Sequence, residues 1–381
     1  MTATRHRPAL LALLPAAALV LAGCTAAPGG TATAAAPEPF DEVLGTVDLG
    51  ALAGAPHPDL SRVQVLDVAA LPDGRAYVLT WGEAVRLVEV LPGDDGPEAG
   101  EVVDLPALHR GAALHRGADG GLLLAGSDGE GPVLLTIGDG EPAERRVAGT
   151  GAVLASATSP DGGTVYLSLA PVEEQGAVAR LVTVDAATGE VTGEAPLGDG
   201  LDPRARAYQL LPRPDGGVVA VISNPVTGGA RDWVAEYDAG LEPVVAPFGV
   251  VAAIGATEYT EVSVGAAGDG DLVVLTEVRD GRQVSVFSGG DLVSTVDADL
   301  TGPVEAVVAG PSAGLVTLSW GRGGADPVVV TLDPATGELG EPLASCEGLG
   351  GYAALDLAAD GTSGVAAGSC GDSDVVAVLV G

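Results

Sequence analysis

Four histidines and three cysteines are the residues of this chain best suited to nucleophilic, acid–base or metal chemistry. His57 falls between prolines, and His109 and His115 flank an Arg-Gly step, a pattern that reads as structural or solvated. Their spacing matches no zinc-ligand set, and neither a metalloprotease motif nor a Gly-x-Ser-x-Gly elbow is present. The stretch Gly268–Asp271, GDGD, begins like a calcium loop but lacks the later ligands and the closing glutamate, so it reads as a turn. Residues suited to recognition are more evident. Trp81, Trp233 and Trp320 are the only tryptophans, and large aromatic groups anchor sugar or protein contacts where they are exposed. The other reading of each is core packing. Arg204 and Arg206, followed by Arg213, crowd one short stretch of an acidic chain. Guanidinium forks bind carboxylates and phosphates, although neutralisation of Asp199 and Asp202 would also account for them.

The ends of the chain say where such residues would act. Arg5, His6 and Arg7 precede an apolar run, Ala9 to Val20, that is too short to span a bilayer but has the length of a secretory h-region. Leu21-Ala22-Gly23-Cys24 follows, and it resembles the lipobox of bacterial lipoproteins. The resemblance implies cleavage before Cys24, acylation of its thiol and anchorage to the membrane through two or more acyl chains, enough for stable attachment. Residues 1–23 would then be a signal peptide and 24–41 a lipidated tether. Thr25 to Pro39, TAAPGGTATAAAPEP, has nothing with which to build a core and would reach roughly 20 Å as a flexible coil.

Residues 42–381 remain as the folded domain. Hydrophobic residues make up 47% of the chain and glycines number 58, a composition that favours a turn-rich packed globule over a disordered chain. Lysine is absent and Asn224 is the single asparagine, which fits the codon bias of a GC-rich genome of actinobacterial type. The formal charge is −35, and loss of Arg5 and Arg7 makes it more negative still. Such a field repels nucleic acid, which needs a basic footprint, and serves solubility.

The elements that must position these residues come from a repeat. Asp-Gly turns at Asp73, Asp119, Asp161, Asp215, Asp269 and Asp360 each lead into a β-rich run, and Ser312-Ala313-Gly314 is a degenerate seventh. They lie 42 to 54 residues apart. Short strands repeating at that period are the mark of a β-propeller blade. Asp-Gly supplies the positive φ that tight hairpins require. A second marker, VDAATGEV and LDPATGEL, recurs between later strands. The expectation is an all-β propeller, most simply of seven four-stranded blades, with six or eight if one repeat is misparsed. The last copy supplies only three strands, so the apolar run Glu42 to Gly50 is expected to complete it and close the ring.

The Ser-Pro-Asp-Gly turns resemble those of YVTN and TolB-like propellers, and the Asp-x-x-Thr-Gly-Glu turns resemble those of quinoprotein-type propellers. The tryptophan that quinoprotein repeats carry after Thr-Gly is missing from Val191 to Pro196 and from Leu339 to Leu343. No cofactor is expected.

In a propeller the three tryptophans fall near loops joining the second and third strands of a blade, on the face that usually binds ligands. Cys346 and Cys370 fall on neighbouring blades of that face, and in an exported protein they are expected to form a disulfide of roughly 3–4 kcal/mol. Asp67, Glu261, Glu305 and Asp356 fall on innermost strands and could make the channel mouth acidic. The expected function is a binding or scaffold module at the cell envelope, with a protein or glycan partner. The alternative is a lactonase- or lyase-type enzyme using a channel cation.

Overall fold

The computed structural model describes residues 42–381 except 107, 109–110, 139–141, 150, 171–178, 199, 226–230, 257–258, 279–280, 301–303, 311–315, 321–327, 345–349, 359–360 and 362; the side chains of 259–260, 305, 316–320 and 344 are also outside the description. Among the described residues the strands form seven four-stranded antiparallel sheets. Six are sequential meanders. In chain order they run β2 (Gln64–Ala70), β3 (Ala76–Trp81), β4 (Val85–Leu91) and β5 (Glu98–Leu105); then β6 (Ala113–Arg116), β7 (Leu122–Asp128), β8 (Gly131–Ile137) and β9 (Ala143–Arg146). The third is β10 (Ala152–Thr158), β11 (Thr164–Ala170), β12 (Arg180–Asp185) and β13 (Val191–Pro196), and the fourth β14 (Arg206–Pro212), β15 (Val218–Ser223), β16 (Asp232–Tyr237) and β17 (Pro243–Gly249). The fifth is β18 (Tyr259–Ala266), β19 (Leu272–Val278), β20 (Gly281–Ser288) and β21 (Asp291–Ala298), and the sixth β22 (Val304–Ala309), β23 (Val316–Trp320), β24 (Val328–Leu332) and β25 (Leu343–Ala344). In the seventh, β26 (Gly350–Leu357), β27 (Gly364–Cys370) and β28 (Ser373–Val380) take β1 (Val43–Asp48) as their outer strand. The Thr46–Val378 and Val47–Ala377 pairings fix that register. Two single-turn helices, Gly50–Ala53 and Val250–Ala253, interrupt the connections, in stretches without helical periodicity.

The sheets form a β-propeller. The innermost strands touch in cyclic order: β2 meets β6, β6 meets β10, then β14, β18, β22 and β26 follow, and β26 meets β2. One apolar cluster fills each boundary between adjacent sheets, for example Val68, Val78 and Val88 against Val365, Ala367 and Ala377 where the first and seventh meet. The central strands carry continuous Val, Leu and Ala runs because both of their faces are covered. Full burial of each Val or Leu contributes roughly 1.5–3 kcal/mol.

The repeated turns are built from their own side chains. In Ser159–Thr164 the Ser159 Oγ donates to Asp161 and accepts from the Thr164 N–H, and Asp161 accepts from the Gly163 N–H. Gly162 has φ 68° and lies so close to the Gly117–Ala118 backbone of the preceding blade that a Cβ there would collide. In the second marker, Asp185 accepts from the N–H and hydroxyl of Thr188, and Asp333 holds Thr336 through its hydroxyl in the same way.

A regularity absent from any sequence pattern lines the channel. In six of the seven innermost strands the pairing with the second strand slips by one residue, leaving Leu66, Leu154, Tyr208, Thr260, Glu305 and Ala353 as bulged positions. Bulges re-aim side chains, and Leu66, Leu154, Tyr208 and Ala353 lie on the channel wall. The shorter β6 pairs without a slip.

Candidate functional site

The residues singled out for recognition take their places on the loop face, that is, the face bearing connections between second and third strands and between blades. Trp81 ends β3 and is partly buried against the boundary of the first two blades. The His57 ring, from the connection into β2, stacks on it at 5.3 Å between centroids and 20° between planes. Trp233 is the second residue of β16 and packs partly into the boundary of blades three and four. Trp320 ends β23, and its side chain lies outside the described residues. These positions are spread around the ring and share no single patch.

Arg204 forms a two-pronged pair with Asp202 at 3.0 and 3.1 Å, and it also donates to the Pro225 carbonyl. Arg206 turns back onto the carbonyls of Pro203 and Ala205. Local neutralisation and loop bracing thus occupy much of both guanidinium groups. Arg213 sits at the far end of β14, roughly 20 Å along the strand, in the turn face, where it pairs with Asp215 at 2.9 Å and with buried Glu236. The three arginines are therefore two separate features. Cys370 ends β27 and is disulfide-bonded. Cys346 and Cys24 lie outside the described residues.

The densest polar chemistry lies elsewhere, at the waist of the channel. Two cavities meet there. One of about 660 Å³ is walled by the innermost strands, and one of about 700 Å³ extends to the turns of blades two and three. Asp67, Ser156, Leu210, Pro212, Leu355 and Asp356 line both.

Each polar group at the waist crosses a blade boundary. Asp67 Oδ2 accepts the Leu114 N–H of blade two at 2.8 Å, and its Oδ1 accepts the Val68 N–H. Asp356 Oδ2 accepts the Ala70 N–H of blade one at 2.9 Å and an Arg116 amino group at 3.0 Å. Arg116 also donates to the carbonyls of Ala70 and Leu357, tying blades two, one and seven together. His115 Nε2 meets Ser156 Oγ of blade three at 2.7 Å.

Burial pushes the Asp67 carboxyl up to about 7, with the nearby Asp356 charge adding to the rise against two N–H donors that oppose it. Burial likewise raises Asp356, opposed by Arg116. It drives His115 down to about 4, so the imidazole is neutral at physiological pH. A neutral ring of that weak basicity suits hydrogen bonding better than proton abstraction.

Of the acidic residues expected at the channel, Asp67 and Asp356 line it; Glu261 is exposed near the start of β18 and lines neither cavity, and the Glu305 side chain is outside the description. Arg116 occupies the flank of Asp356 where a cation would sit, and among the described residues no group of three or more metal-ligating side chains converges. Arg116 and Ser156 had no signal in the sequence. Their partners are 240 and 41 residues away, and only ring closure joins them.

No protein-family model and no curated protein sequence matches this chain.

Proposed function

We propose that this protein is a lipid-anchored, extracytoplasmic binding or scaffold module. It would be a seven-bladed propeller, closed by its N-terminal strand, that meets a protein or glycan partner at the cell envelope. Cys24 would carry the anchor within a lipobox, and residues 24–41 would hold the domain off the membrane. The YVTN, TolB and quinoprotein likeness of its turns supports an exported propeller of that general kind.

The observation that carries the reading is the partly exposed His57–Trp81 stack on the loop face. An aromatic pair fixed by stacking and backed by a packed blade boundary offers a rigid contact surface at low entropic cost. Tyr208 adds to this face: it is 42% exposed, and its hydroxyl donates to Asp232 at 3.1 Å.

The test is crosslinking in cells followed by affinity capture. A reproducible partner that is lost in the Trp81→Ala, Trp320→Ala, Arg206→Ala triple variant supports the reading. Capture that survives all three changes removes the loop face from it. Anchorage is checked separately: Cys24→Ala should release the chain from the membrane fraction, and mass spectrometry of the wild type should find acyl chains on Cys24. The alternative, a hydrolase or lyase with a channel cation, requires Asp67 and Asp356 as ligands. Their engagement with backbone N–H groups and Arg116 weighs against it, and metal analysis of purified protein decides it.

A further inference from the structure

The turn-face cavity of the channel has two unlike walls. Its polar wall comes from blades seven, one, two and three, and its apolar wall includes Leu210, Pro212 and Leu355. At about 700 Å³ it falls within the size range of small-molecule sites. Side-chain exposures of 32% for Arg116 and 31% for Asp356, at the middle of a packed ring, show that both face this internal space.

The polar wall is rich in hydrogen-bonding capacity, and its single guanidinium is matched by a carboxylate. Arg116 and Asp356 neutralise each other, and Arg116 keeps one amino group, Nη1, without a hydrogen bond among the described residues. His115 lines the cavity and uses only Nε2, so Nδ1 has no hydrogen bond among the described residues. Nδ1 is a donor in one tautomer and an acceptor in the other, and the Ser156 hydroxyl keeps the complementary capacity, so the pair together offers one of each. Asp67, held by two backbone N–H groups, has no cationic partner among the described residues and near neutrality is partly protonated; Asp161, at the exposed mouth of the cavity, also lacks a cation and is held by the Ser159 hydroxyl and the Gly163 N–H. An anion would find the guanidinium already engaged. A metal ion would have to displace Arg116 from Asp356.

We propose that this cavity binds a small neutral polyol, a sugar of one or two rings, whose hydroxyls meet His115, Ser156 and Arg116 and whose C–H face lies on Leu210 and Leu355. The proposal rests on reading the protein as a binding module and moves the small-ligand site from the loop face into the channel.

Calorimetry or ligand-observed NMR with glucose, maltose and myo-inositol tests it. Glucosamine and gluconate are the counter-probes, because they keep the hydroxyls and add a positive or a negative charge. At least one neutral probe should bind, with Ser156→Ala and His115→Phe each weakening it about tenfold and Trp81→Ala leaving it unchanged. The charged counterparts should bind more weakly than glucose. Arg116→Ala is avoided because it also breaks the blade boundary; thermal melts confirm that the two chosen variants are folded. Failure of all three neutral probes at millimolar concentration overturns the proposal, as does stronger binding of glucosamine or gluconate. Partner capture on the loop face is read in parallel. Capture without polyol binding sinks the channel site alone, and polyol binding without capture sinks the loop-face reading alone.

Discussion

The two halves of the channel wall solve the same problem by different means. Where blades seven, one, two and three meet, the innermost strands are stitched by charged and polar side chains: Asp356 to Ala70, Asp67 to Leu114, Arg116 to Leu357 and His115 to Ser156. Where blades four, five and six meet, the described wall is neutral. Gln209 donates to the Val264 carbonyl at 3.1 Å, and Gly265 brings its backbone against Ala309. The second half relies on close approach, which asks nothing of solvent or pH. The first half contains the ring closure, where termini meet and sequence continuity gives no help. There, directional hydrogen bonds specify which strand neighbours which, and they also place the charged groups at the waist of the channel.

The contrast breaks most severely at Arg116. Its removal leaves Asp356 inside the ring without its cation and frees the carbonyls of Ala70 and Leu357. Loss of one partner from a buried pair costs about 3–5 kcal/mol; with both side chains about one-third exposed to the channel, about 2–4 kcal/mol is expected for Arg116→Ala. Chemical denaturation measures it. A loss below that of an ordinary surface change would show that the stitching is incidental to closure.

Protonation separates the halves next. Asp67 titrates near 7 in the fold and near 3.8 when unfolded, so the native state holds the extra proton between those values. Its contribution is fully present below about 3.8 and is lost as pH rises through 7, by a few kcal/mol at most. Asp356 acts in the same direction. His115 has the opposite sign. Its folded value near 4 lies below the ordinary 6.5, so stability rises across pH 4 to 6.5 as the unfolded chain gives up its proton. The two trends oppose each other up to about 6.5, and above that only the fall remains. Melting curves from pH 4 to 8 should show Asp67→Asn losing most of the fall near 7 and His115→Gln steepening the fall between pH 4 and 6.5. An unchanged fall near pH 7 in Asp67→Asn would assign that titration to another group. The turn and loop carboxylates held low by their partners, such as Asp128 near 2, act only in more acidic solution.

On the neutral half, Gly265→Val should destabilise by about 1–3 kcal/mol through overpacking, because a Cβ at 265 would lie 2.9 Å from the Ala309 nitrogen. Its effect should be flat across pH 4 to 8, in contrast to the Asp67 and His115 variants. A pH-dependent loss would mean that the two halves are coupled through the ring.

These residues also mark how far the sequence could be read. Asp161, Gly162, Asp185 and Gly189 form turns from side chains two or three residues away, so their chemistry is visible in any short window. The runs from Val218 to Ile222 and from Leu122 to Ala125 are apolar throughout because both faces are covered, which is equally local. The waist is non-local. Asp67 and Asp356 were recognisable as acids on innermost strands, but their N–H partners on the next blade were not. His115 read as a solvated or structural residue because Ser156 enters only when blades two and three pack. The arginine run misled for the same reason in reverse: Arg206 and Arg213 are close in sequence but stand at opposite ends of β14.

The mildest test contrasts the waist with the loop face. Arg204 and Asp202 form as good a two-pronged pair as any in the ring, at 3.0 and 3.1 Å, and the pair holds Asp202 below its ordinary carboxylate range. Yet Arg204 is 69% exposed, so water and salt screen the attraction and replace it readily when it is lost. Arg204→Ala should leave the melting temperature unchanged within measurement error at physiological salt, and the same substitution should not alter the pH profile set by Asp67 and His115. A clear drop in melting temperature would show that the connection into blade four depends on this pair, and that the loop face shares in closing the ring. If stability holds and partner capture alone changes, hydrogen-bond geometry of the same quality serves structure at the waist and recognition at the rim, with solvent exposure deciding which.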